Sequence, residues 1–119
     1  MRGLSENIHV RSVLGRFLEH SRFFIFEAGD RASYYLGSAD LMPRNLDHRV
    51  EVVAPIDDIA IQSELAATFD TIFADNSAAW ELQSDGTWQR VRPKKEERHR
   101  SAQATMMRRA RRRLSLARR

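Results

Sequence analysis

The sequence contains no cysteine. That excludes a disulfide framework, a thiolate metal site and a thiol nucleophile. No apolar run is long enough to cross a bilayer as a helix. The first ten residues, MRGLSENIHV, lack the continuous apolar centre of a secretory signal, so the cytoplasm is the expected compartment, with membrane association open only through a complex. There is no internal repeat and no Gly/Ser linker. His9, His48 and His99 have no partners at ligand spacing, so no metal site is expected within these 119 residues.

Positive charge is scarce over most of the chain and crowded at its end. Residues 1–89 hold seven Arg and no Lys against fourteen Asp and Glu, a balance of −7. Residues 90–119 hold eleven Arg and two Lys against Glu96 and Glu97, a balance of +11, which together make the net +4. This is a mildly acidic domain, over residues 1–93, carrying a basic tail over residues 94–119. The segment MMRRARRRLSLARR suits any polyanion, and electrostatics alone does not separate polyphosphate from nucleic acid or an acidic membrane surface. A solvated terminus is the plain alternative.

Local patterns divide the acidic part into elements. Ser5 is placed as a helix cap, with Glu6 in the first turn. Val10, Val13, Leu14, Phe17 and Leu18 then recur at helical spacing, predicting an amphipathic helix that ends near Glu19. Gly15 inside it costs about 1 kcal/mol relative to Ala, which points to a close contact there. Arg22 to Phe26 is too short and too aromatic for a helix and predicts a buried strand. Ala28-Gly29-Asp30 is a turn, Ser33 to Gly37 the returning strand, and Pro43 interrupts regular structure between Leu41 and Asp47. Alternation over Arg49 to Ala54 predicts a third strand. Asp57 and Asp58 then open a helix, with Ile61, Leu65, Phe69, Ile72 and Phe73 packing it on the sheet. Ser84-Asp85-Gly86 predicts a hairpin turn between Trp80 and Val91. Ser101 to Leu116 can form a helix with Met107, Ala110, Leu114 and Ala117 as a thin apolar line.

Chemistry-bearing residues concentrate between Gly15 and Glu51. His20 is followed by Arg22 and Glu27, then by Gly37-Ser38-Ala39-Asp40, and finally by Glu51. A histidine, a guanidinium, a hydroxyl-bearing turn and carboxylates are the parts needed to hold a phosphoryl group and move protons around it. The pattern His-x-Arg-x4-Glu with a later Gly-Ser-x-Asp resembles the phospholipase D superfamily signature, His-x-Lys-x4-Asp with Gly-Ser-x-Asn. Arg22 stands for the Lys, Glu27 for the Asp and Asp40 for the Asn. Those departures, with the run SADLMPRNLDHRVEV from Ser38 to Val52, are similar to the last domain of bacterial polyphosphate kinase. The resemblance extends from about Gly3 to about Pro93.

The resemblance implies an α/β (α+β) fold, a phospholipase-D-like mixed sheet flanked by helices and incomplete at its N-terminus, with a basic tail that is helical or disordered. It implies the C-terminal part of an enzyme that moves the terminal phosphate of ATP reversibly to polyphosphate through a phosphohistidine. That nucleophile lies in a facing domain that this chain lacks. His20 would contact the nucleotide's phosphates and shuttle a proton, its reference pKa of about 6.5 allowing both states. Glu51 would orient its ring. Arg22, Ser38, Asp40, Arg44 and Arg49 would line the phosphate site, with Glu27 supporting. ATP and polyphosphate are the implied substrates, and magnesium is expected on ligands outside this chain. The remaining partner would be the missing N-terminal domains or a homo-oligomer. A natural fragment, a split-gene product or an engineered piece, inactive alone, is then the expectation.

The residues by themselves leave other readings open. His20 could be structural, Arg22 could pair with Glu27 at a strand edge, Glu51 could be an exposed strand carboxylate, and Arg44 and Arg49 ordinary surface arginines. GSAD alone is often only a turn. Trp80 and Trp88 fit hairpin packing better than base stacking. Two other functions also stand: a phospholipase-D-type phosphodiesterase or nuclease acting as a homodimer, and a non-catalytic remnant that binds polyanions through its tail.

Overall fold

Phe23 to Phe26 supply the β-forming residues around which one half of the structure is built. In a computed structural model, which describes residues 3–117, the element order is β1 (Arg11–Val13), β2 (Phe23–Ala28), β3 (Arg31–Gly37), α1 (Pro43–Asp47), β4 (Val53–Ile56), α2 (Ile59–Phe73), β5 (Ala79–Leu82), β6 (Trp88–Arg90) and α3 (Ala102–Ala117). Two compact units result, one of residues 3–18 with 70–117 and one of Glu19–Phe69.

The Glu19–Phe69 unit holds an antiparallel sheet in the order β2-β3-β4. β2 and β3 form a hairpin closed by Gly29 and Asp30, with Ala28 opposite Arg31. Gly29 has φ +59. A positive φ at the first central position is the type II′ pattern, whose twist matches that of the flanking strands. Phe26 and Tyr35 sit diagonally across the pair, their rings edge to face at 5.8 Å. β4 pairs with β3 through Tyr34–Ile56, Tyr35–Pro55, Leu36–Ala54 and Gly37–Val53. It is an edge strand, which is where a proline is tolerated in a ladder. The third strand therefore lies two to four residues later than alternation over Arg49 to Ala54 predicts. Asp58 caps α2, its Oδ1 accepting from the backbone N–H groups of Ala60 (2.8 Å) and Ile61 (3.0 Å). The helix falls where its aspartates place it, but none of its residues is buried. Ile61 and Phe69 are exposed, so the expected tight packing on the sheet is not reached.

The other unit holds an antiparallel sheet in the order β1-β5-β6. The β5–β6 turn falls at Ser84-Asp85-Gly86 as expected, with Asp85 Oδ1 accepting from the Thr87 N–H (2.9 Å) and Gly86 at φ +85. The predicted N-terminal helix is absent. Residues 11–13 pair with β5 as Arg11–Glu81, Ser12–Trp80 and Val13–Ala79, so long-range pairing overrides the helical spacing. Gly15 does make the expected close contact, though outside any helix: a Cβ there would collide with the Gln103 side chain.

Polar groups fill the interior of this unit. Asp75 is fully buried. Its Oδ1 accepts from the Ser77 (2.8 Å) and Ala78 (2.7 Å) N–H groups, and its Oδ2 from the Ala102 N–H (2.7 Å) at the start of α3. Asn76 exchanges bonds with the Arg100 backbone and donates to the Arg98 carbonyl (3.2 Å). Gln103 accepts from the Phe17 N–H (3.0 Å) and donates to the Phe17 carbonyl (2.7 Å). Residues after Pro93, assigned from sequence to the tail, are thus anchored through Gln103, and α3 is helical to Ala117. Both sheets are wholly antiparallel, so no single mixed sheet forms among the described residues.

Candidate functional site

The strand register decides what meets His20. Phe23 pairs with Leu36, and one step further the Gly37 N–H donates to the Arg22 carbonyl at 3.1 Å. Arg22 is therefore fixed opposite the start of the Gly-Ser-x-Asp turn, and Asp40 comes within reach of its guanidinium. Arg22 Nη2 donates to Asp40 Oδ2 at 3.0 Å. The same guanidinium lies against His20, with Nη1 3.3 Å from ring Nδ1 and Nη2 3.5 Å from ring Nε2. His20 is exposed while Arg22 is half-buried, which leaves the imidazole as the accessible member of the pair.

Glu51 is held by a second set of contacts. Gly37 has backbone of the 52–53 segment so close that any Cβ would strike the Val52 carbonyl and the Val53 Cα. That approach lets the Ser38 N–H donate to the Val52 carbonyl (2.9 Å) and the Val52 N–H donate to Ser38 Oγ (3.1 Å). Ser38 Oγ in turn donates to Glu51 Oε2 at 2.5 Å. Asn45 Nδ2 donates to Glu51 Oε1 at 2.9 Å, and Arg49 Nε lies 3.5 Å from the same oxygen.

These partners set the charges. The Arg22 hydrogen bond, with the Arg22 and Arg44 charges, holds Asp40 below the usual carboxylate range. Hydrogen bonds from Ser38 and Asn45, with the charges of Arg49 and Arg22, do the same for Glu51. Both carboxylates are ionised acceptors at neutral pH, and Arg22 acts on both.

His20, Arg22 and Asp40 thus form one bonded set and Ser38, Arg49 and Glu51 another, linked by the charge of Arg22 acting on Glu51, with Arg44 near enough to bias Asp40. Two placements differ from expectation. The polar contacts of the His20 ring are with Arg22, and Asp40 rather than Glu51 holds that guanidinium. The Ser38 hydroxyl donates to Glu51. Glu27 does not join. It sits near the far end of β2 opposite Ala32, an odd number of residues from Arg22 and therefore on the other face of the sheet. Arg22 pairs with Asp40, not Glu27.

Asn45 is the residue that sequence reasoning missed. It is buried, and its Oδ1 has no hydrogen-bond partner. Its position within the run from Ser38 to Val52 was the available signal. No group of three or more His, Asp or Glu that could hold a metal occurs among the described residues. The two carboxylates of the cluster are occupied by arginine, serine and asparagine, so this donor set does not fit magnesium.

The model of the family described as polyphosphate kinase C-terminal domain 2 matches residues 1–103. The chain belongs to that family. It is 49% identical over 105 residues to a polyphosphate kinase of Thermosynechococcus vestitus, covering 88% of this chain and 14% of that protein. It is 46% identical over 105 residues to a polyphosphate kinase of Pseudomonas aeruginosa, covering 88% of this chain and 15% of that one. The crystal structure of polyphosphate kinase from Porphyromonas gingivalis superimposes with a TM-score of 0.81 at 30% identity, over 90% of this chain and 16% of that chain. The phospholipase-D-like α/β fold is thereby shared. The chain spans about a seventh of the length of these polyphosphate kinases.

Proposed function

We propose that this polyphosphate kinase C-terminal domain supplies His20 and Arg22 to reversible transfer of the terminal phosphate between ATP and polyphosphate. The observation that carries the reading is the contact of the His20 ring with Arg22, whose guanidinium is held by Asp40, in a chain of this family. In the proposed reaction the β–γ phosphoanhydride bond of ATP breaks and a histidine nitrogen of a facing domain takes the phosphoryl group. A terminal oxygen of polyphosphate then accepts it. His20 hydrogen-bonds a phosphate oxygen and passes a proton, and Arg22 neutralises charge that builds on the transferring group. Glu51, held by Ser38 and Asn45, keeps the adjacent turn in place. Magnesium, which such a transfer ordinarily uses on the β- and γ-phosphates, would be held by groups outside this chain.

Exposed apolar side chains support a facing partner. Val50, beside Glu51, is 98% exposed, and Leu41, beside Asp40, is 81% exposed. Among the described residues, the buried apolar side chains are only Ala79 and Ala102. Apolar residues left open around a charged site mark a contact surface, and the remaining domains of the enzyme are the proposed cover. No helix of the described residues is long and apolar enough to cross a membrane, and the cytoplasm is the proposed compartment.

The homodimeric phosphodiesterase reading is weakened by a specific observation. Arg22 and Asp40 are two departures from the phospholipase D signature, and they are bonded to each other. A paired replacement of Lys and Asn suits a different phosphate geometry from the one those enzymes use. An ATP-dependent polyphosphate assay tests the proposal. The purified chain alone should make no polyphosphate, and the same segment placed in the Pseudomonas aeruginosa enzyme should support synthesis. Robust synthesis by the chain alone, abolished by His20→Ala, would contradict the half-site reading.

A further inference from the structure

α3 carries five arginines, Arg108, Arg109, Arg111, Arg112 and Arg113, and no acidic residue anywhere along its sixteen positions. Thr105, Arg108, Arg112 and Ser115 follow one another at i, i+3, i+7 and i+10, one face of the helix, with Arg109 and Arg111 on its flanks. Arg108 Nη2 donates to Thr105 Oγ1 at 2.9 Å. Between these six side chains runs an open furrow of about 580 Å³. From Thr105 to Ser115 it extends about 15 Å along the helix. All of this stretch lies beyond the residues matched by the family model.

We infer that this furrow is a binding site for a linear inorganic polyphosphate chain, separate from the His20 cluster. Charge complementarity gives the class of ligand: four guanidiniums in line, with no carboxylate between them, can each bind phosphate oxygens in two-pronged fashion. The composition of the helix chooses among polyanions. Recognition of single-stranded nucleic acid draws on aromatic platforms for its bases, and α3, AQATMMRRARRRLSLA, has no aromatic side chain. A membrane surface needs a broad apolar face. Here Met106 and Met107 are half-covered, the apolar line beyond them is Ala110, Leu114 and Ala117, and exposed Leu116 lies off that line on the arginine side, so no broad apolar face forms. A ligand made of phosphate alone uses what the helix offers and leaves nothing unread. Only the choice of polyphosphate over other phosphate polymers rests on the function proposed above.

The test is a fluorescence anisotropy titration of the full chain with labelled polyphosphate and with single-stranded RNA of equal phosphate number, across salt concentrations. The set Arg108→Gln, Arg109→Gln, Arg111→Gln and Arg112→Gln should lower polyphosphate affinity by at least about 100-fold and reduce the log–log salt slope by about 3. Replacement of the same four by Lys should keep the slope, which separates loss of charge from loss of fold. Wild type should bind polyphosphate more tightly than the RNA. An unchanged slope in the Gln set, or tighter binding of the RNA, overturns the assignment. Failure of the phosphoryl-transfer reading would appear in the synthesis assay and not in this titration.

Discussion

The two units put their polar groups to opposite uses. In the unit of residues 3–18 and 70–117, Asp75, Asn76 and Gln103 are buried and bond backbone groups of distant segments. These bonds satisfy backbone groups that the chain would otherwise leave unpaired, so they hold the chain together. In the Glu19–Phe69 unit, the polar cluster bonds mostly side chain to side chain and ends in an exposed histidine. A charged network that leaves an imidazole open is what the proposed phosphoryl-transfer role requires. The contrast separates structural from functional polar residues by what they bond and how deeply they lie.

The comparison is broken most directly by exchanging its consequences. Asp75→Ala should cost about 2–3 kcal/mol, because three buried N–H groups lose a charged acceptor, and urea unfolding of the whole chain would measure it. His20→Ala should leave the unfolding midpoint where it is. A midpoint shift in the histidine variant as large as that of the aspartate variant would erase the distinction.

Arg22→Lys probes the other side. An ammonium keeps the charge but loses the forked donors that reach both Asp40 and His20. Loss of one charge-assisted hydrogen bond, about 1.5–3 kcal/mol, corresponds to roughly 10- to 100-fold in transfer rate within a full-length enzyme carrying this domain. A rate equal to that of the parent would show that only the charge of Arg22 matters.

A smaller effect should appear in acid. Asp40 and Glu51 both have folded-state pKa values lowered by their partners. The stability they contribute is therefore present above the unfolded carboxylate value of about 4 and is lost as pH falls through the lowered folded values. The unfolding midpoint should be flat at higher pH and decline below that point, and Asp40→Asn should shallow the decline. An identical acid profile in the variant would mean that the Arg22–Asp40 pair contributes no pH dependence.

Much of the site was legible because it depends on short-range register. Once β2 and β3 form a hairpin around Gly29, Arg22 must face Gly37, and Asp40 follows. The position of β4 was not legible, since alternation in RVEVVA favours a strand that Ser38 prevents by capturing Val52. That capture frees Glu51 from the ladder, so the misplaced strand and the missed Asn45 contact have one cause. The N-terminal segment failed for a different reason. Its apolar residues do recur at helical spacing, but pairing with β5, about 70 residues later, is a long-range choice that spacing does not encode. Leu14, Phe17 and Leu18 remain exposed, so the periodicity did not report a core within this chain.

The central claim is that His20 serves phosphoryl transfer. In the Pseudomonas aeruginosa polyphosphate kinase carrying this segment, His20→Ala should lower ATP-dependent polyphosphate synthesis by at least about 100-fold, the lower range for a positioned acid–base group, with unfolding unchanged. Activity within about threefold of the parent would contradict it.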